Sequence, residues 1–177
     1  MIIVNDADFR FKDTCVTVGK FDTLHIGHKA LMERMEEFRK KGLSAVVLRL
    51  EMPEKDMVSE SNIRTEKERI ELLEALGIDI YIRLPFTEQV AHMSAESFIK
   101  NILVERLGIG AMVVGDDFRF GYERAGDTAL LKSEGEKYGF ETVVLERIKY
   151  DGQTVSSSLI KELIREGKLD EAYKMLG

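Results

Sequence analysis

His25 and His28 stand three residues apart in CVTVGKFDTLHIGHKAL, the stretch from Cys15 to Leu31, and they are two of the chain's three histidines. Gly19 ends an apolar, β-branched run and helical spacing begins near Gly27, so the spacing predicts His25 in a loop and His28 in a first helical turn. There, free backbone N–H groups and the helix dipole favour an anion, and imidazole donors would stabilise charge developing during transfer of a phosphate-bearing group. Gly27 would let a phosphate approach the backbone without meeting a β-carbon. The plain alternative is that one histidine caps the helix and the other is merely exposed. Zinc is not indicated, because His92 and Cys15 lie at no metal-ligand spacing from this pair.

Two further stretches carry unusual residues. GDDFRFGYERAGD, from Gly115 to Asp127, combines an acidic pair with two phenylalanines and two arginines, and VSSSLIK, from Val155 to Lys161, sets three hydroxyls before a helical pattern. Each has a structural reading. Asp116 and Asp117 suit a turn, Phe118 and Phe120 alternate as residues covering a sheet end do, Arg119 suits the surface, and Ser156, Ser157 and Ser158 suit a helix cap. Capping and anion binding are compatible, and Lys161 falls one turn inside that helix, within reach of a phosphate held at its start.

The elements that must position these residues alternate. Strands are predicted at Cys15–Val18, Ala45–Leu50, Ile78–Leu84, Ala111–Val114 and Glu141–Leu145. Helices are predicted at Gly27–Lys41, Thr65–Leu76, Ala95–Leu107 and Thr128–Tyr138, with two short ones near Ser158–Arg165 and Leu169–Leu176. Thr65 with Glu68 forms a capping-box pattern, Ser94 and Asp127 are N-cap candidates, and Gly42, Gly77, Gly108 and Gly139 stand where helices should stop. This order predicts an α/β fold, an open parallel five-stranded sheet with helices on both faces, whose ligands bind beyond the carboxyl ends of the strands. The loops after the first, second and fourth predicted strands carry GKFDTLHIGH, EMPEKDM and GDDFRFGYERAGD, so the unusual sequences share one edge. Met52 to Asn62 reads as a mobile loop.

With 177 residues, 44% hydrophobic and 33% charged, the chain suits one domain over its whole length. A net charge of −6, from 26 basic and 32 acidic residues, gives no general attraction for nucleic acid or an anionic membrane, so a polyanionic substrate needs a local cationic site. One cysteine rules out an internal disulfide; the opening MIIVNDADFRF has no signal-like pattern, and no apolar run reaches membrane-spanning length. A cytoplasmic protein is expected.

The histidine segment resembles the signature shared by adenylyl- and cytidylyltransferases and class I aminoacyl-tRNA synthetases. A synthetase is disfavoured because the chain has no room for an anticodon-binding domain and no KMSKS-like loop. The three stretches together, from about Cys15 to Gly177 and including LLEALGID and MSAESFIKNILVERLG, resemble the nucleotidyltransferase module of bacterial bifunctional riboflavin kinase/FAD synthetases. That resemblance implies the Rossmann-like fold of HIGH-motif nucleotidyltransferases and transfer of AMP from ATP to FMN, with Mg²⁺, giving FAD and pyrophosphate. It implies His25, His28 and Lys161 as catalytic residues. The binding residues it implies are Gly19, Phe21, Asp22 and Gly27; Gly115, Asp117, Phe118, Arg119, Phe120, Gly121 and Arg124; and Ser156, Ser157 and Ser158. No protein metal site is implied, and the riboflavin kinase module is expected to be absent.

The chain departs from the family pattern at several points. Thr23 stands where relatives usually have glycine, Ser158 where they have threonine, and Lys161 where they have arginine, which loses a bidentate phosphate fork. A phenylalanine and a Pro-His-Pro run are replaced around Leu50 to Pro53, which removes an aromatic contact to the flavin. Two alternatives therefore stand beside FAD synthesis: nucleotidyl transfer to another phosphate-bearing acceptor, and flavin or nucleotide binding without turnover.

Overall fold

The protein is described here by a computed structural model covering residues 1–51 and 63–177. The predicted loop Met52 to Asn62, and with it part of the altered Leu50–Pro53 segment, lies outside the described residues. The strands are β1 (Ile2–Val4), β2 (Thr14–Gly19), β3 (Ser44–Glu51), β4 (Ile80–Pro85), β5 (Ile109–Gly115), β6 (Glu141–Leu145) and a small ribbon of β7 (Lys149–Tyr150) with β8 (Gln153–Thr154). The helices are α1 (Ile26–Arg39), α2 (Glu66–Ala75), α3 (Glu88–Ala91), α4 (Ala95–Ser97, continuing as a π-helix over Phe98–Val104), α5 (Thr128–Tyr138), α6 (Ser157–Arg165) and α7 (Leu169–Leu176).

All pairings in the main sheet are parallel, in the order β1-β4-β3-β2-β5-β6. The sheet therefore has six strands where five were predicted. The additional one, β1, is a three-residue edge strand paired with β4, too short to show periodicity by itself.

Alternation along the inner strands divides the core in two. Val16, Val46, Leu48, Ile82 and Val114 face the π-helical segment and α5, through Phe98, Ile99, Ile102 and Leu131. Cys15, Ala45, Val47, Tyr81 and Val113 face α1 and α2, through Met32, Met35, Phe38 and Leu73. Burial on both faces explains why these strands read as continuous apolar runs. The stop and start signals hold: Thr65 and Glu68 form a reciprocal capping box, Ser94 and Asp127 accept from the first turns of their helices, and Gly42, Gly77, Gly108 and Gly139 take positive φ. Helices α6 and α7 pack on each other in a separate small cluster with Val155.

From β2 the chain steps outward to β3 and β4, then returns so that β5 lies on the other side of β2. The loops leaving β2 and β5 thus diverge, and a crevice opens between them at the carboxyl ends. The histidine and GDDFRFG segments leave these two strands.

Candidate functional site

His25 is the N-cap of α1, with its Nδ1 accepting from the His28 backbone N–H at 3.3 Å. A neutral imidazole that accepts at Nδ1 carries its proton on Nε2. The rings of His25 and His28 stack at 3.8 Å between centroids, and His28 leans on Phe21 at 4.9 Å. Nδ1 of His28 is enclosed without a partner, which leaves Nε2 as its nitrogen available to a ligand. Desolvation holds both rings neutral at pH 7, lowering His25 to about 4 and His28 to about 3, with His25 adding to the second shift. The cap reading and the site reading are both satisfied by His25. Gly27 has a local role: a β-carbon there would meet the His25 ring at 3.0 Å.

The depressed values have a consequence for stability. The unfolded chain protonates its histidines as pH falls below about 6.5 while the folded rings stay neutral, so the unfolded state binds more protons and stability falls with pH. The stabilisation is complete above pH 6.5 and is lost as pH falls toward 4. Between pH 7 and 5 we expect a loss of about 3–4 kcal/mol for the two rings together, read from urea midpoints. A midpoint unchanged over that interval would show that the rings are not enclosed as described.

The loop before α1 is held by buried side chains in a conformation they resist. Phe21 and Leu24, both essentially without exposure, take φ of 52° and 48°, at a cost of about 1–2 kcal/mol each. Three guanidinium groups satisfy loop carbonyls that no helix or strand reaches. Nε of Arg49 on β3 donates to Lys20 at 3.0 Å, Nε of Arg69 on α2 to Phe21 at 3.1 Å, and Nε of Arg64 to Thr23 at 2.9 Å. Glu66 pairs with both Arg49 and Arg69, and Asp22 lies 3.6 Å from Arg49. Thr23 is buried outside the left-handed region, and its hydroxyl lies 2.9 Å from that of Ser157, tying this loop to α6. A β-carbon at position 23 is therefore accommodated.

Two cavities open at the carboxyl edge and share Val18, Gly19, Asp117 and Phe118 as a common wall. The first, about 220 Å³, is bounded by His25, Gly27 and His28 at the start of α1 and by Ser156 and Ser157 at the start of α6. Ser156 caps α6 by accepting from Leu159 N–H at 3.2 Å, and neither helix has an acidic residue in its first turn. Two helix N-termini thus converge on one chamber suited to an anion, called polar below for these backbone donors and hydroxyls, since much of its remaining lining, Val18, Phe21, Leu31 and Val155 among it, is apolar. The second, about 480 Å³, is walled by Leu50, Phe86, Val90, Phe98, Phe118 and Phe120, with Lys20, Arg119 and Arg124 also in its lining; it is called apolar or aromatic below for the first six. Phe118 and Phe120 stack at 5.3 Å, and Phe98 meets Phe120 at 5.8 Å. Gly121, at φ 74°, admits no side chain, because a β-carbon would stand 2.6 Å from the Ala95 backbone.

Of the residues expected from the sequence, His25, His28, Phe21, Gly27, Gly115, Ser156 and Ser157 line the polar chamber, and Arg119, Phe120, Gly121 and Arg124 the apolar one. Gly19, Asp117 and Phe118 line both. Asp22 is engaged with Arg49, Ser158 is exposed on α6, and Lys161 lies on the second turn of α6; none of the three lines either chamber. Sequence reasoning passed over Phe86 and Val90 of the apolar chamber and Arg147, just beyond β6, in the polar one. The loop after β6 leaves the same sheet edge as the others, so the rule that drew attention to those loops applied to it equally.

A family model described as FAD synthetase matches residues 9–159. The chain belongs to the FAD synthetase family. It is 34% identical over 171 residues to a bifunctional riboflavin kinase/FMN adenylyltransferase of Buchnera aphidicola, covering 93% of this chain and 55% of that protein. It is 31% identical over 172 residues to the protein of the same name from Escherichia coli K12, covering 94% and 55%. The chain thus spans about half the length of the curated relatives it matches. Among solved structures, a macrolide-efflux protein from Streptococcus pneumoniae superposes with a TM-score of 0.83 at 24% identity, over 100% of this chain and 60% of that one. A pantoate-beta-alanine ligase from Francisella tularensis, complexed with beta-gamma ATP and beta-alanine, superposes at 0.58 and 13% identity, over 99% and 86%. These last two likenesses show the fold of the family domain. No helix among the described residues is long and apolar enough to cross a membrane.

Proposed function

We propose that this chain is an FMN adenylyltransferase, joining the AMP part of ATP to FMN to give FAD and pyrophosphate. The observation that carries the reading is the pair of chambers with a common wall: a polar one with two helix N-termini and two neutral histidines, and an aromatic one. ATP would place its phosphates in the first and FMN its isoalloxazine ring in the second, so that the FMN phosphate meets the α-phosphorus near Gly19 and Asp117. An oxygen of the FMN phosphate attacks that phosphorus, the bond to the bridging oxygen of the β-phosphate breaks, and pyrophosphate leaves. The attacking phosphate needs no base, since it is anionic at neutral pH. The protein's task is to align two polyanions and stabilise charge on the transferring group. His25, through its Nε2–H, and His28 are the donors placed for this.

Mg²⁺ is the divalent cation we propose for the reaction. It keeps most of its ligands as water and substrate phosphate and takes one or two carboxylates from protein, so Asp117 in the shared wall is a fitting donor. When bound, the ion would neutralise phosphate charge. Among the described residues no three ligating side chains cluster as a self-contained metal cage.

Transfer to a different phosphate-bearing acceptor is the second reading, motivated by the aliphatic Leu50 in the acceptor chamber. Phe86, Phe98, Phe118 and Phe120 still give that chamber an aromatic lining, which favours a flavin. Incubation of the chain with FMN, ATP and Mg²⁺, followed by chromatography, should give FAD and pyrophosphate in equal amounts. ATP binding with neither product would overturn the FMN reading and direct an acceptor screen with ATP and CTP.

A further inference from the structure

The polar chamber is built for an anion, yet little of its positive charge comes from the groups that draw attention in the sequence. Both histidines are neutral at pH 7, Asp117 and Glu146 in the lining are acidic, and Lys161 stands outside. Lys20, Arg119 and Arg124 belong to the neighbouring aromatic chamber. Among the described residues, Arg147 is the sole lysine or arginine in the lining of the polar chamber.

We propose that Arg147 binds the polyphosphate of the nucleotide, exchanging its aspartate partners for phosphate oxygens when ATP enters. Its position is set by the sheet. Leu145 accepts from Asp116 N–H at 2.9 Å where β6 and β5 end, which brings the residues after both strands to the same rim. Without ligand, Arg147 Nε lies 2.9 Å from Asp116 Oδ1 and its Nη1 lies 3.9 Å from Asp117 Oδ2. The three side chains are exposed by 50%, 40% and 62%, so these pairs are of the weak, solvent-screened kind, and releasing them costs little. A guanidinium fork matches a phosphate bidentately, and each charge-assisted bond gained in the partly dehydrated chamber exceeds the surface pair given up. The exchange also frees the Asp117 carboxylate as nucleotide and cation arrive. Two helix dipoles of about half a charge each cannot balance a triphosphate, and Arg147 adds one full fixed charge beside them.

This inference rests on the adenylyltransferase reading, and the test separates the two. MgATP and inorganic tripolyphosphate are titrated calorimetrically, without FMN, into the wild-type chain, R147A, R147K and D116N, with thermal unfolding of each as the control for folding. R147A should bind both ligands about ten- to a hundredfold more weakly, the range for loss of a charge-assisted contact, and R147K should recover part of the loss. D116N, which removes the resting partner and leaves the arginine, should bind at least as tightly as wild type. Equal binding by R147A and wild type overturns the inference and leaves the function intact. Weakening by D116N equal to that by R147A overturns it as well, because Arg147 would then act only by fixing the aspartate loop. Failure of the wild-type chain to bind MgATP removes the functional reading and this inference together.

Discussion

Replacing His28 with alanine should lower kcat for FAD formation by about a hundred- to a thousandfold, the usual cost of losing one donor to charge developing in a transition state. Stability should change by no more than about 1 kcal/mol, because the lost ring is stacked on His25 and Phe21 but holds an enclosed Nδ1 with no hydrogen-bond partner. The ring is neutral over the working pH range, so its contribution is a positioned N–H dipole, and H28N should recover part of the rate where a purely cationic role would leave it inactive. Steady-state rates beside urea midpoints for the three proteins decide the matter. An alanine variant with wild-type turnover would remove the histidine pair from the mechanism.

Arg69→Met should be the most damaging single change outside the two chambers, with an expected loss of about 2–4 kcal/mol. The guanidinium is 2% exposed, donates to the Phe21 carbonyl and pairs with Glu66. Methionine fills much of the volume but leaves a buried carbonyl without a donor and weakens the hold on a loop that carries two left-handed apolar residues. The enclosed Nη2 of Arg69 has no hydrogen-bond partner, and its removal offsets part of the cost. Glu66 keeps Arg49 at 3.2 Å. A thermal midpoint equal to that of wild type would show that the carbonyl clamp contributes nothing to holding the loop.

These two residues illustrate what could and could not be read from the chain. His28 announced itself, since spacing, a following helix and a preceding apolar run are local signals and the structure places the ring where they point. The caps at Thr65, Ser94 and Asp127 and the stops at Gly42 and Gly139 are local in the same way. Arg69 gave no signal. It sits in a highly charged helix with no marked apolar face, and its role depends on the approach of a loop 48 residues away. Edge strand β1 escaped because three residues carry no period, and the place of Phe98 at the boundary of core and chamber is a tertiary fact that no local pattern announces. Arg147 was legible in principle. It required extending to the last strand the rule that ligands gather beyond carboxyl ends.

In the proposed reaction the shared wall of Val18, Gly19, Asp117 and Phe118 also governs what happens after chemistry. Pyrophosphate occupies only the polar chamber and can depart alone. FAD carries the contacts of both reactants on one covalent frame, so it excludes ATP and FMN simultaneously and leaves only when both chambers let go. The geometry that brings two substrates together thereby makes the product a bisubstrate ligand, and places the slow event of the cycle, and its natural brake, at FAD release.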